Sequence, residues 1–259
     1  MRLLDAISFL TIIPLPRRRE VSPKEVGSST GYFPVVGVII GLILAGLNWL
    51  FGLFLPSAVA NGLLIVSLVV ISGALHLDGF VDTCDGIAGH KSVEDRWRVM
   101  HDSRAGAFGI VGVVLLLLLK YASLDSVPES LLMATLVLMP VVSRWAMVYT
   151  VFAYPYARPE GLGKVFKQGA SWQGFTIATV ITLAVTLGVA RWADIGYFYL
   201  AGLAIMLGVW VIVVAVAAYL KRKFAGLTGD TYGAINELAE VGVLVLVCLL
   251  AHNHWLWVV

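Results

Sequence analysis

The chain has 259 residues, 59% of them hydrophobic and 13% charged, with a formal net charge of +2 and a mean hydropathy of +0.91. Soluble domains carry about 25% charged residues, so a soluble globular enzyme is excluded. Disorder needs low hydrophobicity and a disulfide scaffold needs many cysteines, so this apolar chain with two cysteines is neither. A spanning helix takes roughly 20 apolar residues, and the length therefore suits about six to eight spans in one integral membrane domain, 1–259.

Met1–Pro14 is apolar but too short to span. It lacks a small-residue cleavage site and is followed by Pro16 and Arg17–Arg19, so it reads as an interfacial or re-entrant helix and not as a signal peptide. Windows of about 19 residues then predict seven transmembrane helices: Tyr32–Leu55, Ala58–Leu77, Ala105–Tyr121, Leu131–Phe152, Phe175–Trp192, Tyr197–Leu220 and Ile235–Val259. The third, nearly all Val, Leu and Gly, has the composition of a lipid-facing span. Only Pro56-Ser57 separates the first two, a tight hairpin. The expected fold is all-α, a polytopic membrane helix bundle of about seven transmembrane helices plus the N-terminal helix. No internal repeat is visible, which weighs against an inverted-repeat transporter.

The charges are sorted along the chain. Fifteen of the 18 Lys and Arg residues fall on the N-terminal segment and every second connection after it, Lys120 and Arg191 fall on the other side, and Arg144 lies within a span. By the positive-inside rule the N-terminus and the long loops are cytoplasmic. The C-terminus, with His252, His254, Trp255 and Trp257, is outside. Arg17–Arg19 read as a lipid-headgroup anchor, which makes membrane lipid an expected partner; nucleic acid is not expected. Cys84 and Cys248 lack His or Cys neighbours at zinc spacing and read as free, unreactive thiols.

The informative stretch is His76-Leu-Asp-Gly-Phe-Val-Asp-Thr-Cys-Asp-Gly-Ile-Ala-Gly89. Asp78, Asp82 and Asp85 are spaced i, i+4, i+7 and share a helix arc of about 60°. Carboxylates at a bilayer edge are costly and repel one another unless a cation lies between them. Oxygen-only donors suit Mg²⁺ or Mn²⁺ completed by substrate phosphates. His76 and His90 flank the stripe, in hydrogen-bonding roles more than as ligands. Ser92-Val-Glu-Asp95 resembles a capping box and starts a short helix to about Met100. His101-Asp102-Ser103-Arg104 follows, giving Asp102 as a fourth carboxylate able to fold back and Arg104 as a planar grip for phosphate. The cytoplasmic active-site loop is thus expected at about 78–104.

Three further signals fit phosphate handling. Arg144, an intramembrane Arg, needs an anionic partner. Arg158-Pro-Glu-Gly-Leu-Gly163-Lys164 is a glycine-bearing basic loop, read equally well as a connector or as a phosphate site. Gly226-Leu-Thr-Gly-Asp230-Thr-Tyr-Gly-Ala234 leads to Glu237 and Glu240 on one face of the last span. Asp230 and Glu237 are candidates for function, and Glu240 is a candidate structural partner for Arg144.

His76-Leu-Asp-Gly-x-x-Asp-Thr-x-Asp-Gly, then Arg96-x-x-x-Met100-x-Asp-Ser-Arg-x-Gly-x-Phe-Gly109, closely resembles the cobalamin synthases, the adenosylcobinamide-GDP ribazoletransferases also called cobalamin 5′-phosphate synthases. Phe9-Leu-Thr-x-x-Pro-x-Pro16, Phe33-Pro-x-x-Gly37-x-x-x-Gly41, Ser143-Arg144, Tyr156-x-Arg-x-x-Gly-Leu-Gly163 and Thr228-Gly-Asp-x-x-Gly-Ala-x-x-Glu-Leu238 extend the likeness over residues 9 to 240. Cys84 stands where a small residue is expected, off the carboxylate stripe.

The resemblance implies a Mg²⁺-dependent phosphotransferase of the bacterial or archaeal cytoplasmic (inner) membrane. It would join adenosylcobinamide-GDP to α-ribazole or its 5′-phosphate, giving adenosylcobalamin or its 5′-phosphate and GMP. Homo-oligomers and contacts with other cobalamin-assembly enzymes are left open. Such transfer rests on positioning and charge neutralisation. Asp78, Asp82, Asp85 and Asp102 are then the expected metal ligands, and Arg104, Arg144 and Arg158 the phosphate-binding residues. Asp82 joins Asp102 and Asp230 as catalytic, with Asp102 first choice as base and Asp230 second, and His76, Glu237 and Glu240 are supporting. Asp82-x-x-Asp85-Gly also resembles part of the CDP-alcohol phosphotransferase pattern, but the Ala-Arg pair expected after that Gly is missing. The alternative from another class is a cation-coupled transporter using the aspartate stripe as its ion site.

Overall fold

Helices apolar on every side belong either inside a bundle or against lipid, and both kinds occur here. The computed structural model describes residues 2–15, 27–89, 92–193 and 198–253. Arg17–Arg19, Lys24, His90, His254, Trp255 and Trp257 lie outside the described residues. The helices are α1 (Arg2–Leu10), α2 (Phe33–Gly52, entered through a 3₁₀ turn Ser29–Tyr32), α3 (Ser57–Ile71), α4 (Leu75–Gly89), α5 (Val93–Met100), α6 (Ala107–Asp125), α7 (Glu129–Ala153), α8 (Leu162–Gly169), α9 (Trp172–Trp192), α10 (Phe198–Phe224) and α11 (Gly229–His252). No strand occurs among the described residues beyond one isolated bridge, Tyr156 to Leu227. The chain is an all-α, multi-pass membrane bundle.

Six segments are long and apolar enough to cross: Ser29–Gly52, α6, α7, α9, Tyr199–Phe224 and α11, each of 19 to 26 residues. At about 1.5 Å per residue these lengths match a hydrocarbon core of about 30 Å. The second predicted span, Ala58–Leu77, is not continuous. It stops at Ile71 and resumes as α4 with a bend of 89° between the two pieces. The break falls at Ser72-Gly73-Ala74, where Gly73 and Ala74 both take left-handed backbone angles, φ 60° and 56°. Gly tolerates this at no steric cost, whereas Ala does not. The aspartate stripe therefore lies on a helix turned nearly at right angles to the one before it.

α7 lies at the centre of the bundle, with 89% of its apolar window buried, and α11 beside it has 72%. α6 is peripheral, and Phe108, Val111, Leu115 and Leu118 are exposed on it, as suits a lipid-facing span. α2 packs tightly on α7 because Gly37 and Gly41, one turn apart, leave room for the backbone at Pro140 and Val137. A Cβ on Gly41 would sit 2.7 Å from the Val137 Cα. Small residues at this spacing are a general device for close helix approach in lipid, where no hydrophobic effect drives helices together. α1 buries Ala6, Ile7 and Leu10 and sets Phe9 against Phe33 and Phe166, ring centroids 6.2 and 4.5 Å away.

Candidate active site

The site is created by the crossing of α4 and α11. A Cβ on Gly79 would lie 2.7 Å from the Asp230 carbonyl oxygen, and one on Gly233 would lie 3.0 Å from the His76 carbonyl oxygen. The two glycines let the helices meet at backbone distance, so that Asp78 and Asp82 of α4 face Asp230 in the first turn of α11. The start of α11 is fixed by a reciprocal cap. Thr231 N–H donates to Thr228 Oγ1 at 3.2 Å, and Thr228 N–H donates to Thr231 Oγ1 at 2.7 Å. Beside it, Ala157 N–H donates to the Leu227 carbonyl at 2.8 Å and Leu227 N–H to the Pro155 carbonyl at 2.9 Å. This pinned loop carries Arg158, whose Nη2 is 3.0 Å from Asp230 Oδ2.

Asp78, Asp82, Asp102, Arg158 and Asp230 line one polar cavity of about 440 Å³, together with His101 and Ser103. Neither Asp78 nor Asp82 has an ion-pair partner among the described residues. No three carboxylate, His or Cys side chains converge into a ready-made metal cage among those residues. Asp78 and Asp82 thus face the cavity with no cation upon them among the described residues. A second chamber of about 220 Å³ adjoins the first and shares Asp78, Arg158 and Asp230 with it.

Other members of the expected set lie differently. Asp85 is buried and turned from Asp82: its Oδ2 accepts from Gly106 N–H at 2.7 Å and its Oδ1 from Gly109 N–H at 2.8 Å. It thus satisfies donors at the start of α6 that no intrahelical carbonyl can reach, and it ties the 92–106 loop to α4. Asp102 is at the cavity rim, gripped by Arg104, whose Nε and Nη2 donate to it at 3.0 and 2.8 Å. That pair holds the Asp102 carboxyl down at about 2, against an ordinary value of 3.8, which leaves it a poor proton acceptor. The Arg104 guanidinium, expected on phosphate, is spent on Asp102.

Arg144 is the larger departure. It is fully buried, ion-paired with Glu240, and lines neither cavity. Lys120, placed outside by charge counting, is 1% exposed and binds both Glu237, at 2.6 Å, and Glu240. Asn236 Nδ2 donates to Glu240 at 3.1 Å. Two cations and two anions meet inside the bundle, away from both cavities. Sequence reasoning missed Lys120 as a member of this cluster. A lone lysine in the apolar run of α6, facing a chain with two mid-span glutamates, was the available signal. His76 is buried and lines the second chamber.

The role of Asp85 has a direct consequence. Asp85→Ala removes two charge-assisted hydrogen bonds, each of the class that contributes about 1.5–3 kcal/mol. A fall of several degrees in the thermal midpoint of metal-free, detergent-solubilised protein is expected. An unchanged midpoint would show that the α6 cap contributes nothing.

Residues 2–248 match the family described as cobalamin-5-phosphate synthase. The chain belongs to that family. Its relatives cover nearly the whole chain. The adenosylcobinamide-GDP ribazoletransferase of Geotalea daltonii is 39% identical over 246 residues, 95% of each chain. That of Roseiflexus sp. is 37% identical over 247 residues, 95% of this chain and 89% of its own. The protein of the same name from Desulforamulus reducens is 36% identical over 245 residues, 94% of each. No solved structure matches the chain. The family resemblance noted from His76 to Gly109 falls on α4, the capping carboxylate and the cavity rim, and that noted from Thr228 to Leu238 falls on the capped start of α11.

Proposed function

We propose that this protein is an adenosylcobinamide-GDP ribazoletransferase, making adenosylcobalamin or its 5′-phosphate and releasing GMP. One observation carries the site: Asp78, Asp82, Asp230 and Arg158 surround a single polar cavity where α4 crosses α11. A ribose hydroxyl of α-ribazole, or of its 5′-phosphate, attacks the cobinamide-side phosphorus. The new O–P bond forms as the bridging P–O bond breaks, and GMP leaves with the bridging oxygen. The hydroxyl proton passes to Asp230, which borders both chambers, in preference to Asp102 with its low affinity for protons. Arg158 offsets diphosphate charge beside Asp230.

Asp78 and Asp82 fit a hard cation, since they are oxygen donors with no protein cation upon them among the described residues, and Mg²⁺ typically takes one or two carboxylates plus substrate phosphates. Bound there, Mg²⁺ supplies charge neutralisation for the diphosphate and the departing GMP. The single domain 1–259 lies in the cytoplasmic membrane of its cell, with the N-terminus and the 78–104 segment on the cytoplasmic side and the C-terminus outside.

A transporter is disfavoured by the deep carboxylates. Glu237 and Glu240 are neutralised by Lys120 and Arg144, so neither is a free acid for a coupling ion. The test is to incubate purified protein with adenosylcobinamide-GDP, α-ribazole and Mg²⁺ and quantify products by mass spectrometry. Cobalamin and GMP in equal amounts support the assignment; absence of both from folded protein sinks it.

A further inference from the structure

We propose that the second chamber is the subsite for the acceptor, holding the planar aromatic base of the ribazole nucleoside. This rests on the transferase assignment above and adds where one substrate lies. The chamber is lined by Phe9, Phe33 and Phe166, whose rings cluster together, and by Tyr156 and Tyr232. Phe166 meets Phe33 edge-on at 5.6 Å, and the Tyr156 and Tyr232 rings lie 6.4 Å apart. Such walls suit an apolar bicyclic ring, since aromatic rings favour stacked and edge-on contacts. At about 220 Å³ the space is of nucleoside scale, too small for a corrin macrocycle.

Two details favour ribazole over the guanosine of the other substrate. Guanine carries an exocyclic amine, a carbonyl and ring donors, which a wall of Phe9, Phe33 and Phe166 would leave unpaired at a cost. A dimethylated benzimidazole carries none of these donors. The lining also holds two buried polar groups, His76 and Tyr232, 2% and 3% exposed. His76 Nε2 and the Tyr232 hydroxyl have no hydrogen-bond partner among the described residues. Buried polar atoms are ordinarily paired, and the nucleoside's ring nitrogen and ribose hydroxyls would supply the missing partners. Because Asp78, Arg158 and Asp230 border both chambers, a nucleoside seated here presents its sugar at the boundary where the diphosphate must lie.

Tyr232→Phe removes a hydroxyl that bonds to nothing among the described residues, so folding should be unaffected. It is expected to raise KM for α-ribazole three- to tenfold, the loss of one neutral hydrogen bond, with KM for adenosylcobinamide-GDP unchanged. Phe166→Leu should shift the same constant in the same direction and weaken binding of α-ribazole alone in equilibrium dialysis. A rise confined to KM for adenosylcobinamide-GDP would place guanosine in the chamber and overturn the proposal, as would both variants leaving both constants unchanged. Failure of the wild-type protein to make cobalamin would instead defeat the transferase assignment itself.

Discussion

Asn in place of Asp82 should cut GMP release by about 10²–10³-fold, the loss seen when one preorganised charge-stabilising group is deleted from a transfer site, while leaving thermal stability intact. The combination follows from the environment of the side chain. Asp82 has no ion-pair partner among the described residues and lines a cavity with Asp78 and Asp230, so neutralising it breaks no ion pair and relieves repulsion between like charges. Asp85, three residues and about 4.5 Å of helix rise away, behaves oppositely because its oxygens hold the Gly106 and Gly109 amides. Parallel assays of GMP release and thermal unfolding separate the two. Undiminished turnover in Asp82→Asn, or a large loss of stability, would contradict the role assigned to it.

Lys120→Met should destabilise the bundle by about 3–5 kcal/mol, the cost of removing one partner from a buried ion pair. Arg144 would then face Glu237 and Glu240 alone, one cation for two anions inside the apolar bundle. The double variant Lys120→Met/Glu237→Gln restores neutrality, with the Arg144–Glu240 pair intact. It is expected to be more stable than the sum of the single losses, with a coupling of about 0.5–3 kcal/mol. Denaturant titration in detergent micelles measures the cycle. Strict additivity would show that Lys120 and Glu237 do not interact, and an unaffected single variant would remove the network as a stabilising element.

Much of this was legible because the decisive signals were local. Long apolar windows mark the spans, and the i, i+4 spacing alone puts Asp78 and Asp82 on one face. What escaped was partner choice across the fold. Asp85 continues the same arc, but its orientation depends on the Gly106 and Gly109 amides arriving from another element. The Arg144–Glu240 pair, 96 positions apart in the chain, is one of the readings the sequence offers, but the entry of Lys120 into the same cluster is not. Arg158 and Asp230 were each visible as candidates, yet their contact depends on the bridge between Tyr156 and Leu227. The right-angle break before α4 was hidden because Ser-Gly-Ala within an apolar run is tolerated in a helix, and only the left-handed angles of Gly73 and Ala74 end it. The second chamber draws Phe9, Phe33 and Phe166 from distant segments, and no spacing rule joins them.

We propose that the Asp78–Asp82–Asp230 cavity transfers the cobinamide phosphoryl group with a divalent cation held by its carboxylates. This is tested most directly by stripping purified protein and substrates of metal and following GMP release at fixed pH as Mg²⁺ is returned. Release should fall to background without metal and recover saturably with Mg²⁺ in the wild-type protein, and fail to recover in Asp82→Asn. GMP release that persists in the metal-free wild-type protein, coupled to cobalamin formation, would contradict it.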